Sequence, residues 1–349
     1  ATFYPDIPTG SGVTRDSFPV NFNGKSYDIN KFIHDHPGGV NTLKLYKGKN
    51  ILHAMEKYGH SVSAYHMLGD FRVEELKNMN LSGEVSSNGR IVTDCEVKRD
   101  VEEIKFLEDR LDWSKPILNQ IDRISEHYHR WVNSAVFREC HLFSNPMIEA
   151  MTYTPWYLVP MFWLPIILYV KSLIFYFILG PCPDQLTTMN FASHLLRGVL
   201  IWTILEYSLH RWVFHFDPGS SITMIKIHFV IHGMHHKVPF DKYRLVFPPI
   251  PAFAIVCVLF TILHSSFTYP MLKLTGALAG YLTYDMMHFY IHNGSPKDGS
   301  YLYAMKRYHS NHHFVNHDKA FGISCKLWDY VFKTFVCLKR LGFSLNWNY

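Results

Sequence analysis

A chain of 349 residues is too long for one small domain, so its length predicts two or three structural units. The charged residues make up 18% of the chain, and the net charge of +5 includes no basic run, which argues against a nucleic-acid-binding protein. The six cysteines form no CxxC pair, which argues against a disulfide framework or a thiolate metal site, whereas the 22 histidines far exceed what packing requires.

Residues 14–81 are predicted to form a small α+β domain. Two short apolar stretches flank Asn23-Gly24, a dipeptide preferred in tight β-hairpin turns. His36 lies in the sequence HPGG, and His60 lies further along in GHS. Two histidines on separate helices can supply both axial ligands of a heme, which makes the iron an electron carrier closed to substrate. The alternative interpretation is that both are surface histidines in turns.

The segments NGKSYDINKF, HDHPGG and GHS resemble those of cytochrome b5, and the match covers residues 20–75. The resemblance implies a heme b whose iron is held by His36 and His60.

Residues 82–135 are expected to be a linker followed by a segment that docks at a membrane interface. The stretch 82–105 is polar and contains several Gly and Ser residues, which is typical of a linker. From residue 106 onward, aromatic residues alternate with charged ones, a composition that favours an interface.

Residues 136–349 are predicted to form an all-α, membrane-embedded domain with four transmembrane helices in two hairpins and a cytosolic helical cap. Four apolar segments approach the length of a membrane span, namely 156–179, 191–208, 252–267 and 271–287. The loop 180–190 contains no Lys or Arg, whereas 209–250 contains several. The positive-inside rule therefore places the N-terminus and the loop 209–250 in the cytosol.

Ten histidines occur in four clusters near the ends of these segments. They are His210 and His215; His232, His235 and His236; His288 and His292; and His309, His312 and His313. Residues i, i+3 and i+4 share one helix face, so the last three clusters are each expected to present their imidazoles together. His210 and His215 are five residues apart, which a regular helix would splay, so we expect the helix to end or loosen there.

The ten imidazoles are predicted to bind two first-row divalent metal ions, and the residues leave iron, zinc and copper open. A metal-bound histidine usually donates its second N–H to a carboxylate or a carbonyl. Glu206 and Asp285 are therefore candidate partners of the ligands, and Asp241 and Asp329 are weaker ones. A solvated charge at a helix end is the alternative for each of them.

The remaining histidines of this region are expected not to bind metal. His228 lies one turn before His232, but the two HxxHH clusters repeat without it. His194, His264 and His317 lack cluster partners and are expected to be structural or interfacial.

The spacings HxxxxH, HxxHH, HxxxH and HxxHH resemble those of the membrane fatty acid hydroxylase and desaturase superfamily. The segments LDWSKPIL, KYRLVFPP and FGISCKLWDY, together with the front heme module, resemble the subgroup that hydroxylates the fatty acyl chains of sphingolipids. The resemblance implies residence in the endoplasmic reticulum membrane and two iron ions in the active enzyme, with zinc as a second candidate in isolated protein.

The same resemblance implies insertion of a hydroxyl group, drawn from O2, at the carbon next to the carboxyl or amide group of a long acyl chain. The substrate is then a fatty acyl or ceramide lipid, and an NAD(P)H-dependent flavin reductase supplies electrons through the heme. Tyr243, Arg244 and Asp241 are expected to hold the lipid head group beside the metal ions.

Two other functions remain open at this stage. An acyl or sphingolipid desaturase would use the same metal site to remove two hydrogens. A non-enzymatic metal transporter or sensor is an alternative of another class, and the heme pair argues against it because transport needs no electron donor.

Overall fold

The computed structural model describes residues 17–73, 92–179, 188–339, 341–343 and 345–347. Residues 82–91 of the expected linker lie outside these ranges, so the linker prediction can be compared with the structure only from Val92 onward.

The front module, residues 17–73, is a β-hairpin followed by short helices. Strand β1 (Pro19–Phe22) pairs antiparallel with β2 (Lys25–Asp28). The turn residues Asn23 and Gly24 have φ angles of 47° and 72°, and two positive φ angles in sequence are what a tight type I′ turn requires. The predicted hairpin is therefore confirmed. The helices of the module are α1 (Val40–Lys44), α2 (Leu52–Lys57) and α3 (Val62–Leu68).

The segment after the gap is folded against the rest of the chain. Its helices are α4 (Val92–Asp109), α5 (Tyr128–Val132) and α6 (Pro146–Met151), with 3-10 turns at Ile117–Asn119 and Ile121–His127. Ile104 and Leu107 of α4 are buried, and Trp131 of α5 packs its ring 5.3 Å from that of Phe229. The stretch expected as a polar linker is thus helical from Val92, and the helix is held to the rest of the chain by buried residues near its end, such as Ile104 and Leu107.

A buried ion pair ties this segment to the histidine-rich region. Lys237, which follows His236, is fully buried, and its ammonium group donates to the Glu108 carboxylate. It also donates to the carbonyls of Trp131 at 3.0 Å and Ser134 at 2.6 Å. All three donors of the ammonium are therefore paired, as a buried charge requires.

The four predicted apolar segments are helices, and they form the scaffold of the second domain. The helices of this domain are α7 (Leu158–Leu179), α8 (Thr188–Ser208), α9 (Ile222–His228), α10 (Met234–Lys237), α11 (Pro249–Ser266), α12 (Pro270–Asn293), α13 (Tyr301–Phe314) and α14 (Leu327–Val331). Two π-helical segments, Leu209–Phe214 and Phe229–Gly233, follow α8 and α9 directly.

Helices α8 and α12 approach one another at a pair of glycines. A Cβ atom on Gly198 would lie 2.1 Å from the Lys273 carbonyl oxygen, and one on Gly276 would lie 2.1 Å from that of Leu195. Only glycine allows this separation of the two backbones. Because α8 and α12 lead to His210 and His288, the crossing sets the distance between two of the histidine clusters.

Within the part of the chain that the structure describes, no helix has both the length and the apolar character that a membrane crossing demands. The four predicted helices are confirmed as helices, and their insertion in a membrane stays a prediction.

We predict that Gly276→Ala lowers the stability of the second domain by about 1–3 kcal/mol, because the added methyl group overpacks the crossing of α8 and α12. Thermal unfolding of the purified full-length protein measures the change. Gly69→Ala is the control, since a Cβ there would meet nothing within 4 Å. Equal melting temperatures for Gly276→Ala and the wild type would contradict the close backbone contact.

Candidate metal centre and heme site

His36 and His60 of the front module face one another. Their ring centroids are 5.9 Å apart, and the ring planes are 28° from parallel. Burial lowers the pKa of His36 to about 3, so its imidazole is neutral. The ring of His36 lies over Gly38, where a Cβ atom would come within 2.7 Å of it, so the HPGG sequence provides the space for this ring.

The pair fits a metal atom held between two imidazoles. The Nδ1 atom of His60 is 3.0 Å from the Met55 carbonyl oxygen, to which it can donate, and this leaves the Nε2 lone pair of His60 for a ligand. A bond from a metal to an imidazole nitrogen is about 2 Å long, so a centroid separation of 5.9 Å leaves room for one metal atom. The residues present therefore fit a bis-histidine heme.

The ten clustered histidines form two groups of five. The first group is His210, His215, His232, His236 and His312; the second group is His235, His288, His292, His309 and His313. Within each group, one ligand atom from every residue lies within 4.8 Å of all the others. The structure thus brings together all ten predicted histidines.

Each HxxHH cluster contributes to both groups. His232 and His236 belong to the first group, whereas His235 belongs to the second. His309 and His313 belong to the second group, and His312 belongs to the first. The expectation that the three imidazoles of each HxxHH cluster point to one place is therefore wrong. Positions i and i+4 differ by about 40° around a helix, whereas i+3 and i+4 differ by about 100°.

The helix between His210 and His215 loosens as expected, and it does so by becoming a π-helix. The His215 N–H donates to the His210 carbonyl at 3.1 Å, a bond across five residues. This wider turn places the two imidazole centroids 5.0 Å apart. π-helical turns of this kind are frequent at functional sites.

Backbone carbonyls fix the protonation of several ligands. The Nδ1 atoms of His210, His288 and His312 lie 2.6, 3.1 and 2.7 Å from the carbonyl oxygens of Phe321, Leu245 and Lys319, in that order. A carbonyl can only accept, so Nδ1 carries the proton and Nε2 presents a lone pair. These lone pairs point at one another: the Nε2 atoms of His288 and His309 are 3.1 Å apart, and those of His210 and His232 are 3.2 Å apart.

The two groups fit metal ions. Both ring nitrogens of His235 are buried without a hydrogen-bond partner within the described part of the chain, as is Nδ1 of His236, His309 and His313. Burial also holds the pKa of His232, His235 and His236 well below the ordinary value, so these imidazoles are neutral. Several neutral imidazole nitrogens with free lone pairs that point to one place are a ligand set that suits first-row metal ions.

Glu206 and Asp285 act through the loops that carry the carbonyls, and neither contacts a ligand directly in the described contacts. Glu206 accepts from the N–H groups of Ile323 at 3.0 Å and Ser324 at 2.7 Å and from the Ser324 hydroxyl, next to the Phe321 carbonyl. Asp285 accepts from the Phe247 N–H at 3.2 Å, next to the Leu245 carbonyl. Each carboxylate thus holds a loop whose backbone carbonyl accepts a hydrogen bond from a predicted metal ligand.

Asp329 supports the same loop as Glu206. It accepts from the N–H groups of Phe321 at 3.0 Å and Gly322 at 2.9 Å and from the Thr334 hydroxyl at 2.7 Å. Sequence reasoning missed the carbonyls of Phe321, Leu245 and Lys319. No side-chain pattern could have identified them, because every residue has a carbonyl.

Arg244 and Asp241 are part of a buried polar network. The Arg244 guanidinium donates to Glu149, to Asp241 at 3.4 Å, to Thr152 at 3.1 Å and to the Cys140 carbonyl. These bonds hold residues 140–152 against the loop before α11, so Arg244 is committed within the protein. The predicted contact of Tyr243, Arg244 and Asp241 with a lipid head group stays a prediction; of the three side chains, that of Tyr243 is half exposed.

The other four histidines lie outside both groups. His228 is buried, and its Nδ1 atom is 2.7 Å from the Tyr128 hydroxyl. His194 packs on the Tyr269 ring, His264 on Phe260, and the ring centroid of His317 is 5.9 Å from that of His236.

An apolar cavity of about 160 Å³ lies between α8, α11 and α12 and adjoins the first group. Phe214, which lines it, stacks on His232 with 5.3 Å between ring centroids. The lining is almost wholly hydrocarbon, and Glu206, its one carboxylate, uses both oxygens in the bonds to Ile323 and Ser324.

Two family models match the chain, one in each domain. Residues 14–77 match the cytochrome b5-like heme/steroid binding domain, and residues 195–334 match the fatty acid hydroxylase model.

Several characterised proteins are similar over most of the chain. Fatty acid 2-hydroxylase of Mus musculus is 37% identical over 330 residues, which cover 89% of each chain. The ceramide very long chain fatty acid hydroxylase of Saccharomyces cerevisiae is 32% identical and covers 92% of this chain and 91% of its own. A solved structure described as full-length scs7p, with only the hydroxylase domain visible, has 30% identity and a TM-score of 0.59, covering 69% of this chain and 89% of its own.

We predict that His36→Ala and His60→Ala each abolish the bis-histidine heme spectrum of the purified protein, because each removes one of the two axial ligands. His53→Ala is the matched control, since His53 is an exposed histidine of the same module. A wild-type absorption spectrum in either His36→Ala or His60→Ala would contradict the ligand assignment.

We predict that Glu206→Leu lowers metal affinity about 10–100-fold, because the loop that orients His210 loses its anchor. Glu206→Gln should restore most of the affinity, since its amide oxygen can still accept from Ile323 and Ser324. Metal titration of the purified protein measures both variants.

His228→Ala controls for the loss of a buried group near the site and should retain both ions. Glu206→Leu with wild-type affinity, or His228→Ala with depleted metal, would contradict the arrangement described above.

Proposed function

The chain belongs to the fatty acid hydroxylase family, and we propose that it is a membrane-bound di-iron monooxygenase fed by its own heme module. Its function is that of a fatty acid 2-hydroxylase, which places a hydroxyl group on the carbon next to the carboxyl or amide group of a long acyl chain. Curated relatives named dihydroceramide fatty acyl 2-hydroxylase cover 66% of the chain, so ceramide is the substrate class we propose.

One observation carries the metal assignment. Within the described part of the chain, the buried imidazole of His235 has no hydrogen-bond partner at either nitrogen, and it converges with four other histidines of the second group. Leaving a buried polar group unpaired costs about 1–3 kcal/mol, so the fold is suited to a bound ion in each group. Two iron ions, when bound, supply the activation of O2 and the hydroxylation of an unactivated C–H bond.

The chain itself positions the lipid. The cavity between α8, α11 and α12 has an almost wholly hydrocarbon lining, which suits it to hold part of the hydrocarbon tail. Phe214 separates the cavity from His232, so the carbonyl end of the acyl chain lies on the metal side of that ring. This orientation brings the first carbons of the chain, and not its middle, next to the histidine groups.

The front module receives electrons from outside the chain. His36 and His60 would both ligate a heme iron, which would then be closed to substrate and would serve as an electron carrier. A carrier requires a donor, for which we propose an NAD(P)H-dependent flavin reductase.

Location in the endoplasmic reticulum membrane, with the histidine groups on the cytosolic side, is part of the proposal. Large apolar side chains are exposed along three helices, including Met161 on α7, Leu196 on α8 and Val258 on α11, each more than 60% exposed. An exposed apolar surface of this extent marks a contact with lipid or with another protein. Val258, one of these exposed residues, also lines the acyl cavity, so a lipid could enter from the side of α11.

The test is the lipid product of cells that express the full-length chain under ¹⁸O₂. We predict sphingolipids that carry one ¹⁸O atom on the carbon next to the amide, identified by mass spectrometry. His236→Ala, which removes one member of the first group, is the inactive control. Loss of two hydrogens without a gain of oxygen would identify a desaturase, and unchanged lipids would contradict both enzymatic readings.

A further inference from the structure

The end of the chain lies on the loop that holds the heme ligand His36. The Trp347 indole N–H donates to the His36 carbonyl at 3.0 Å, and the Val40 N–H donates to the Asn346 carbonyl at 2.6 Å. Gly39 makes this contact possible, because a Cβ there would lie 2.7 Å from the Asn346 oxygen. Residues 345–347 therefore form a latch on the HPGG loop.

The same latch is joined to a metal-binding group. Lys306 of α13 lies over the Trp347 ring, with its ammonium nitrogen 4.7 Å from the ring centroid. That ammonium group also donates to the carbonyls of His292 at 3.1 Å and Gly294 at 3.0 Å. Trp347 thus connects the backbone of His36 to the backbone of His292, which belongs to the second group.

A chain of aromatic rings makes a second connection between the two domains. Phe32 contacts the His36 ring at 5.7 Å and the Phe240 ring at 5.3 Å. Phe240 stacks on Phe314 at 6.1 Å, and Phe314 is 6.1 Å from the ring of His313. This connection also ends on the second group, four ring-to-ring steps from the heme ligand.

Three further contacts, made by Asp70 and Ser63, fix the orientation of the front module. The Asp70 carboxylate pairs with the Arg138 guanidinium at 2.5 Å and accepts from the Phe137 N–H at 3.2 Å. The Ser63 hydroxyl donates to the Asn133 carbonyl at 3.3 Å. Contacts at several separated points hold a domain in one orientation, which a single contact cannot do.

We propose that the front heme module works from this one docked pose, that residues 345–347 latch it there, and that its electrons enter the metal centre at the second histidine group. The proposal rests on the function proposed above and assigns Trp347 and Phe240 as positioning residues. Both connections from His36 end on members of the second group, so the two metal positions are not equivalent toward the donor.

One electron moves from the front module to the second group in the proposed step. A heme held by His36 and His60 would give up one electron and pass from ferrous to ferric, and an iron ion held by the second group would accept that electron and pass from ferric to ferrous. Two such transfers would restore the pair of ions after each hydroxylation, in which one oxygen atom of O2 enters the lipid and the other leaves as water. A flavoprotein that draws on a reduced nicotinamide then reduces the heme again. Electron tunnelling slows steeply with distance, so loosening the pose slows the transfer without changing the heme itself.

The first experiment measures the latch without any turnover. Hydrogen–deuterium exchange of the full-length protein reports on the Val40 amide, which the Asn346 carbonyl protects. We expect Trp347→Phe to raise the exchange rate of the segment 38–41 about fivefold, the factor that corresponds to one lost hydrogen bond. Trp328→Phe is the matched control, because that indole N–H donates at 3.1 Å to Thr203 within the second domain.

The second experiment measures electron transfer. The iron-loaded protein is reduced without oxygen and mixed with O2, and the decay of the ferrous heme band is followed. We expect a slower decay in Trp347→Phe and Phe240→Ala, with an unchanged heme spectrum, and a wild-type decay in Trp328→Phe. Protein stripped of iron by a chelator gives the rate of direct heme oxidation by O2.

A third experiment tests whether electrons enter at the second group and not at the first. His215→Ala removes a member of the first group and should still allow heme oxidation above the chelated rate, whereas His292→Ala should not. The reverse order would overturn the assignment to the second group. Wild-type exchange and decay in Trp347→Phe, or equal effects in Trp328→Phe, would overturn the latch.

Failure of this proposal is distinguishable from failure of the proposed function. Wild-type protein reduced chemically and given O2 should hydroxylate its lipid once, whatever the pose of the module. Trp347→Phe should do so equally well under chemical reduction and fall behind only when the flavoprotein supplies the electrons. A deficit of Trp347→Phe that is the same under both conditions would overturn the latch, because the defect would then lie in the metal centre.

Discussion

The structure depends on the burial of ten imidazoles. Their ligand nitrogens face one another within each group and do not face hydrogen-bond donors. An imidazole that is removed from water needs a partner at each nitrogen, and His235 has none at either one within the described part of the chain. A cation in each group would supply what the protein does not. The surrounding features, from the π-helical turns to the carboxylates behind the loops, serve to hold these rings in place.

The rings are oriented mainly by backbone atoms, which makes the site rigid and also hides it from sequence reasoning. The carbonyls of Phe321 and Leu245 accept from ligand imidazoles, and Glu206 and Asp285 hold the loops that carry them. Both acidic residues were predicted as partners of the ligands themselves. Their position one step further out follows from geometry that only the folded loops create.

Local patterns determined what could be predicted. The Asn23-Gly24 turn and the four apolar helices follow from short-range propensity, and all ten clustered histidines could be recognised from their spacing. The division of each HxxHH cluster between two groups could not be predicted from the sequence, because it depends on which helix packs against each face of the cluster. The helix that begins at Val92 was not predicted, because the stretch 82–105 is polar and contains several Gly and Ser residues, and the contacts that hold the helix are made with residues distant in sequence.

The shared clusters have a thermodynamic consequence. Helix α13 carries His309 and His313 of the second group and His312 of the first group. An ion that orders this helix at one group would therefore also position a ligand of the other group. Binding of an ion at one position would therefore favour binding at the other, while each group keeps five histidines of its own.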